Sequence, residues 1–135
     1  MMTNDRRLAA LALIVPDYDQ AISYYVETLG FRLIEDTALS ASKRWVLISP
    51  GNKNSCNLLL AKATTAEQQA AIGNQAGGRV FLVLYTDNFD RDYQSYKMKD
   101  VTFLEEPRSE SYGKVVVFQD MFGNKWDLLE PADQE

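Results

Sequence analysis

One carboxylate is a candidate for chemistry because it lies inside an apolar run near the end of the chain. In G-N-K-W-D-L-L-E (123–130), Asp127 is flanked by a Trp and a Leu. A carboxylate is costly to bury unless something pairs with it. If its pKa is raised by burial, Asp127 can act as a general base. If it pairs with Arg79 or Asn57 instead, it holds the sheet together, and the sequence leaves both interpretations open.

Several kinds of chemistry are excluded by what the chain lacks. It contains no His, so the commonest transition-metal ligand is absent and neither a Ser-His nor a Cys-His pair can form. Cys56 is the single cysteine, which excludes an intramolecular disulfide and fits the cytoplasmic location that we predict. The net charge of -5 argues against nucleic acid and against an anionic membrane as partners.

The elements that position Asp127 follow from a repeat with an offset of 70 residues. The matched residues are Asp17 with Asp87, Glu35 with Glu105, Arg44 with Lys114, and Asn54 with Asn124. Few positions are identical, but the boundaries of the predicted elements keep the same offset. The chain therefore contains two copies of one structural unit.

Each copy is predicted to have the order βαβββ. The first has a strand at 8–15, a helix capped by Asp17 and ended by Gly30, and strands at 31–37, 43–49 and 56–61. The second has a strand at 79–86, a helix capped by Asp87, and strands at 101–106, 114–119 and 125–130. The linker between them is predicted to hold a short helix with a capping-box spacing from Thr64 to Glu67, closed by Gly73.

We therefore predict an α+β fold in a single domain, residues 1–135. Module one covers about 8–61, the linker 62–78 and module two about 79–130. A four-stranded sheet with one helix has only one covered face, so the second copy is expected to supply the partner for the other. The two modules are predicted to form a curled mixed sheet around a cleft.

Two motifs resemble those of the vicinal oxygen chelate superfamily, the glyoxalase, bleomycin-resistance and dioxygenase group. They are V-P-D-Y-D-Q-A-I-S-Y-Y-V-E-T-L-G-F-R-L (15–33) and F-Q-D-M-F-G-N-K-W-D-L-L-E (118–130). The resemblance covers residues 8–130. It implies a homodimer with two cavities and a small organic ligand, whereas the substrate stays open because this scaffold hosts many chemistries.

The resemblance also implies positions for metal ligands on the first and last strands of each module. In this chain these positions are Ala10, Asn57, Val80 and Asp127. Ala10 and Val80 are aliphatic and cannot bind a metal, and a catalytic zinc site needs three protein ligands. We therefore predict no metal and no cofactor.

Other residues are predicted to contact a ligand, each with a structural alternative. Arg79 either clamps an acidic group of a ligand or lies in an ion pair or in solvent. Asn74 and Gln75 either donate hydrogen bonds at the cavity mouth or form a polar turn. Trp45 either stacks on a ligand or packs in the core or an interface, and Tyr112 is a candidate for a mobile lip of the cavity.

Three classes of function follow. The leading hypothesis is a small-molecule-binding protein of the bleomycin-resistance type without the usual metal site, using Asn57, Arg79 and Asp127 as polar contacts. The first alternative is a metal-dependent lyase, isomerase or dioxygenase of the glyoxalase type that uses Asp127. The second alternative is a non-catalytic scaffold whose cavity is filled by side chains.

Overall fold

Both copies of the repeat fold into a mixed sheet with a helix packed against it, in the computed structural model of the chain. The structure describes residues 4–133. They form two units, and the boundary lies between Lys62 and Ala63. This boundary is one residue beyond the predicted end of module one.

The first unit is a four-stranded sheet in the order β1-β4-β3-β2. Its elements are β1 (Ala10–Val15), α1 (Tyr18–Ser23), a π-helical turn (Tyr24–Thr28), β2 (Arg32–Ala38), β3 (Arg44–Ser49) and β4 (Asn57–Lys62). β1 and β4 run parallel, and the other neighbours are antiparallel. Alternate strand residues are buried in the core, which includes Leu13, Val15, Val46, Ile48 and Leu60. Because side chains alternate along a strand, Ala10, Trp45 and Asn57 belong to the opposite face.

The first helix begins and ends where the sequence predicts. The Asp17 carboxylate accepts a hydrogen bond of 2.8 Å from the backbone N–H of Gln20. After one α-helical stretch the chain widens into the π-helical turn, in which the Leu29 N–H donates to the Tyr24 carbonyl at 3.2 Å. Gly30 then adopts a φ of 79°, a left-handed conformation that ends the helix at little steric cost for glycine.

The second unit is a five-stranded sheet in the order β5-β9-β8-β6, and β7 also pairs with β8. Its elements are α2 (Ala66–Ala71), β5 (Leu82–Tyr85), α3 (Phe89–Met98), β6 (Thr102–Phe103), β7 (Arg108–Glu110), β8 (Gly113–Gln119) and β9 (Lys125–Pro131). β5 and β9 run parallel. The core includes Phe89, Tyr96, Phe118, Trp126 and Leu128. Stacking of Phe118 on Trp126 and an edge contact of Tyr96 with Phe118 join α3 to the sheet.

The second unit departs from the predicted boundaries in two strands. The strand predicted at 79–86 begins only at Leu82. The strand predicted at 101–106 is reduced to β6, after which the chain leaves the sheet and returns as β7. Pro107 lies in this interruption, and it has no backbone N–H to donate to a neighbouring strand.

Two helix caps also lie one residue later than predicted. Asn88 rather than Asp87 caps α3, and its side chain accepts from the Arg91 N–H at 3.1 Å. Thr65 rather than Thr64 caps α2, and its hydroxyl accepts from the Gln68 N–H at 3.1 Å. Asp, Asn and Thr are all good caps, so adjacent candidates compete and the packing of the helix decides between them.

A buried carboxylate organises the turn that leads into β9. Asp120 accepts hydrogen bonds from the backbone N–H groups of Phe122 and Asn124 at 2.9 and 3.0 Å. It also accepts from the Asn124 amide at 3.0 Å and from the Trp126 indole N–H at 3.0 Å. These charge-assisted bonds fix where β9 starts and therefore which of its residues face the core.

The predicted α+β fold is confirmed, with helices and two mixed sheets of four and five strands. The cleft between the modules stays a prediction. Within residues 4–133 no helix has the length and apolar character needed to cross a membrane.

Candidate functional site

Asp127 lies on the face of the second sheet opposite to the core. Its strand neighbours Trp126 and Leu128 are buried, so the alternation along β9 turns Asp127 to the other side. The register places it between Val83 of β5 and Val117 of β8. We call this side of the second sheet, which carries Val83, Tyr85 and Asp127, the open face.

A second carboxylate reaches the same region because the sheet edge is interrupted. Between β6 and β7 the chain leaves β8, and the Glu105 side chain accepts a hydrogen bond of 2.9 Å from the Val117 N–H. Val117 is the residue paired with Asp127 across β8 and β9. The interruption therefore brings Glu105 near enough to Asp127 for the two carboxylates to influence each other across Val117.

Arg108 joins this carboxylate to two further side chains. Its Nε donates to both Glu105 oxygens at 3.1 Å. Its Nη1 donates to Glu110 at 2.7 Å and to the Tyr112 hydroxyl at 3.2 Å. The guanidinium is therefore held by Glu105 before β7, by Glu110 at the end of β7 and by Tyr112 after it.

The electrostatics of Asp127 follow from its burial and from this cluster. Burial is the largest influence and raises the pKa of Asp127; the Arg108 charge lowers that pKa and the Glu105 charge raises it. Hydrogen bonds to Tyr112, Glu110 and Glu105 raise the pKa of Arg108, so it stays charged. Among the described residues, the Asp127 Oδ1 atom is buried and has no hydrogen-bond partner. An ionised carboxylate with such an oxygen is unfavourable in the absence of a ligand.

The structure gathers two of the predicted site residues, Asp127 and Tyr112, around the Arg108 cluster. Arg79 is exposed in a bend before β5, and the cation that acts on the pKa of Asp127 is Arg108. Asn74 and Gln75 lie in the turn after α2, where the Asn74 N–H donates to the Ala71 carbonyl at 2.8 Å.

The other predicted residues lie in the first unit or outside the strands. Asn57 pairs with Ala10 in the parallel ladder of β1 and β4. Trp45 is 39% exposed on β3. Val80 was expected to be the second-module equivalent of Ala10, but it precedes β5, and Val83 occupies the place beside Asp127. The pairing register therefore gives the first strands an offset of 73 residues, whereas Asn57 and Asp127 on the last strands keep an offset of 70.

Sequence reasoning missed Glu105, Arg108 and Glu110. The signal for them was the charged stretch E-E-P-R-S-E (105–110), which contains a proline and therefore does not fit the end of a regular strand. Within residues 4–133, no three Cys, Asp or Glu side chains are grouped so that they could hold a metal ion.

The chain belongs to the Glyoxalase/Bleomycin resistance protein/Dioxygenase superfamily, whose family model matches residues 7–128. The predicted resemblance is thereby confirmed. An uncharacterised protein from Shewanella frigidimarina (strain NCIMB 400) is 51% identical over 126 residues, which are 93% of each chain.

Solved structures show the same fold. The crystal structure of UcmS2 is similar with a TM-score of 0.80 and 26% identity, over 94% of this chain and 99% of that one. The crystal structure of TnmS3, an antibiotic binding protein from Streptomyces sp. CB03234, is similar with a TM-score of 0.76 and 25% identity, over 97% and 100% of the two chains.

Proposed function

We propose that this protein binds a small organic molecule on the open face of the second sheet, without a metal ion. The observation that carries the proposal is the buried, unpartnered Oδ1 of Asp127. Buried polar atoms are nearly always satisfied, so an unsatisfied one beside exposed apolar side chains is a place where a ligand donor gains a hydrogen bond.

The surroundings of Asp127 have the mixed character of a ligand site. Val83 and Tyr85 are 56% and 69% exposed, although both are large and apolar. Tyr112 is 51% exposed and anchored through Arg108. Apolar surface with a few fixed polar groups is typical of sites for small organic molecules.

The relatives support the same class of function. TnmS3, which is similar over nearly the whole chain, is described as an antibiotic binding protein. Binding of an antibiotic is therefore ascribed to at least one protein with this fold at 25% identity. We infer from this similarity that this chain binds a small organic ligand. We do not infer that the ligand is the same molecule, because one fold can bind many.

The residues at the metal positions of the family support a metal-free site. Each aliphatic residue is paired with one oxygen donor, Ala10 with Asn57 and Val83 with Asp127. Two donors are fewer than the three protein ligands of a catalytic zinc site. Elemental mass spectrometry of untagged protein, purified without chelator, tests this point. About one divalent ion per chain, lost in Asp127→Ala, would favour the glyoxalase-type enzyme instead.

Binding itself is tested by two-dimensional amide NMR of the full chain with a panel of small aromatic compounds. We expect at least one compound to shift the amides of Val83, Tyr85 and residues 105–112, and Tyr85→Ser to weaken its binding. Met98→Ser is the matched control, because Met98 is 83% exposed on α3. Shifts confined to other surfaces, or no shifts with any compound, would refute the proposal.

Two further features stay predictions, the homodimer and the cytoplasmic location. Analytical ultracentrifugation across a range of protein concentrations tests the first, and a single species with the mass of one 135-residue chain would contradict it.

A further inference from the structure

We propose that the ligand carries a protonated amine, and that this amine donates to Asp127 while an apolar or aromatic group lies on Val83 and Tyr85. The inference rests on the proposed function and specifies the chemical class of the ligand. It starts from the Asp127 Oδ1, which is buried and unpartnered, and from the groups that surround it.

The charges around Asp127 favour a cation over an anion. Arg108 pairs with Glu105 and with Glu110, so the charge of its guanidinium is compensated by carboxylates other than Asp127. An acidic group of a ligand at Asp127 would meet the charges of Asp127 and Glu105. A protonated amine would compensate the negative charge of Asp127 and also donate a hydrogen bond to its Oδ1 atom. A neutral hydroxyl can donate the hydrogen bond but leaves the charge uncompensated.

Arg108 is engaged through two of its three nitrogens, and both of its ion pairs are with carboxylates of this chain. Its Nε bonds to Glu105, and its Nη1 bonds to Glu110 and Tyr112. Glu105 in turn is fixed by the Val117 N–H. Turning the guanidinium toward a ligand would break its bonds to a carboxylate that is itself part of the sheet edge, so Arg108 keeps Glu105 as its counter-charge and Asp127 is left for a ligand donor.

The apolar part of the ligand follows from the geometry of β5. Val83 is paired with Asp127, and Tyr85 is two residues further along the same face, paired with Leu129. Two residues along a strand span about 7 Å. An aromatic ring joined to its amine by a short aliphatic link has this length, so the amine reaches Asp127 while the ring lies against Tyr85.

The test uses three probes of matched size, 2-phenylethylamine, 2-phenylethanol and phenylacetate, titrated into the full chain near neutral pH and followed by amide NMR. We expect the amine to bind about tenfold more tightly than the alcohol, and phenylacetate to bind most weakly. Asp127→Asn is expected to abolish the advantage of the amine while leaving the alcohol nearly unchanged. Asp100→Asn is the control: it removes the same charge at an exposed residue whose φ of 61° asparagine tolerates.

The outcomes separate this inference from the proposed function. Equal binding of amine and alcohol, or preference for phenylacetate, at the open face would overturn the amine inference and leave the binding site intact. An amine preference that survives in Asp127→Asn would also overturn it, because the cation would then lie elsewhere. Absence of binding by all three probes counts against both proposals.

Discussion

The backbone N–H of Val117 donates to the carboxylate of Glu105 at 2.9 Å, at the point where the edge of the second sheet is interrupted. The Glu105 side chain thus supplies the hydrogen-bond acceptor that a neighbouring strand would otherwise provide to Val117. The same carboxylate accepts from Arg108, so this bond connects the strand beside Asp127 to the cation that influences the pKa of Asp127. The geometry of the open face depends on it.

Removal of this carboxylate is expected to destabilise the second unit. In Glu105→Ala the partly buried Val117 N–H loses its acceptor and Arg108 loses one of its two ion pairs, so the free energy of unfolding should fall by about 1–3 kcal/mol. Glu105→Gln keeps one acceptor oxygen and should lose less. Glu106→Ala, at the exposed neighbouring position, is the control and should change stability by less than about 0.5 kcal/mol. Urea denaturation measures all three, and equal losses at 105 and 106 would contradict the role of Glu105.

Two glycines with a left-handed conformation allow the cost of backbone strain to be measured apart from the cost of a steric clash. Gly73 and Gly77 have φ values of 71° and 66°. A Cβ on Gly73 would lie 2.2 Å from the Phe122 carbonyl oxygen, whereas one on Gly77 would meet nothing within 4 Å. Gly77→Ala should therefore cost about 1–2 kcal/mol from the left-handed conformation alone, and Gly73→Ala clearly more. Thermal and urea unfolding compare the two variants, and a similar cost for both would show that the turn after α2 does not pack against Phe122 as described.

The two tryptophans are expected to differ in both emission and stability. Trp126 is 3% exposed, stacks on Phe118 and donates to Asp120, while Trp45 is 39% exposed. Trp126→Phe should lose about 1–2 kcal/mol of stability and leave the red-shifted emission of Trp45. Trp45→Phe should change stability by less than about 0.5 kcal/mol and leave blue-shifted emission. Fluorescence-monitored denaturation gives both quantities, and a large loss in Trp45→Phe would reveal packing on the other face of the first sheet.

Asp127 is expected to lower the stability of the free protein as pH rises. Burial raises the pKa of the folded carboxyl above its unfolded value of about 3.9, so the folded state binds more protons between these two values. Stability therefore falls as pH rises through that interval, and the loss is complete above the folded pKa. Asp127→Asn removes this dependence, so it should gain stability relative to the natural chain from acid to neutral pH.

The measurement is urea denaturation of the natural chain, Asp127→Asn and Asp100→Asn at a series of pH values. Asp100→Asn is the control, since it removes the same charge at an exposed position. A stability difference for Asp127→Asn that is constant with pH would contradict the raised pKa. A ligand amine bound to Asp127 would offset the stability that the free protein loses when this carboxylate ionises. Binding sites commonly lower the stability of the free protein in this way.

Much of the fold was predictable from local signals in the sequence. The strand predicted at 43–49 is found as β3 (Arg44–Ser49), because a short apolar run rich in β-branched residues favours an extended chain. Asp17 and Gly30 marked the ends of the first helix because capping and left-handed geometry depend on residue type. The final motif identified the family, although it could not identify a ligand.

The candidate site depended on features that have no local signal. The pairing of β5 with β9 put Val83 rather than Val80 beside Asp127, and such a register depends on contacts between strands distant in sequence. Glu105 was matched to Glu35 by the repeat, yet its bond to Val117 arises only where the chain leaves the sheet. The sequence by itself determined that a carboxylate would lie in the last strand. The tertiary structure decided that one of its oxygens is buried without a partner, since burial and hydrogen bonding belong to the packed chain.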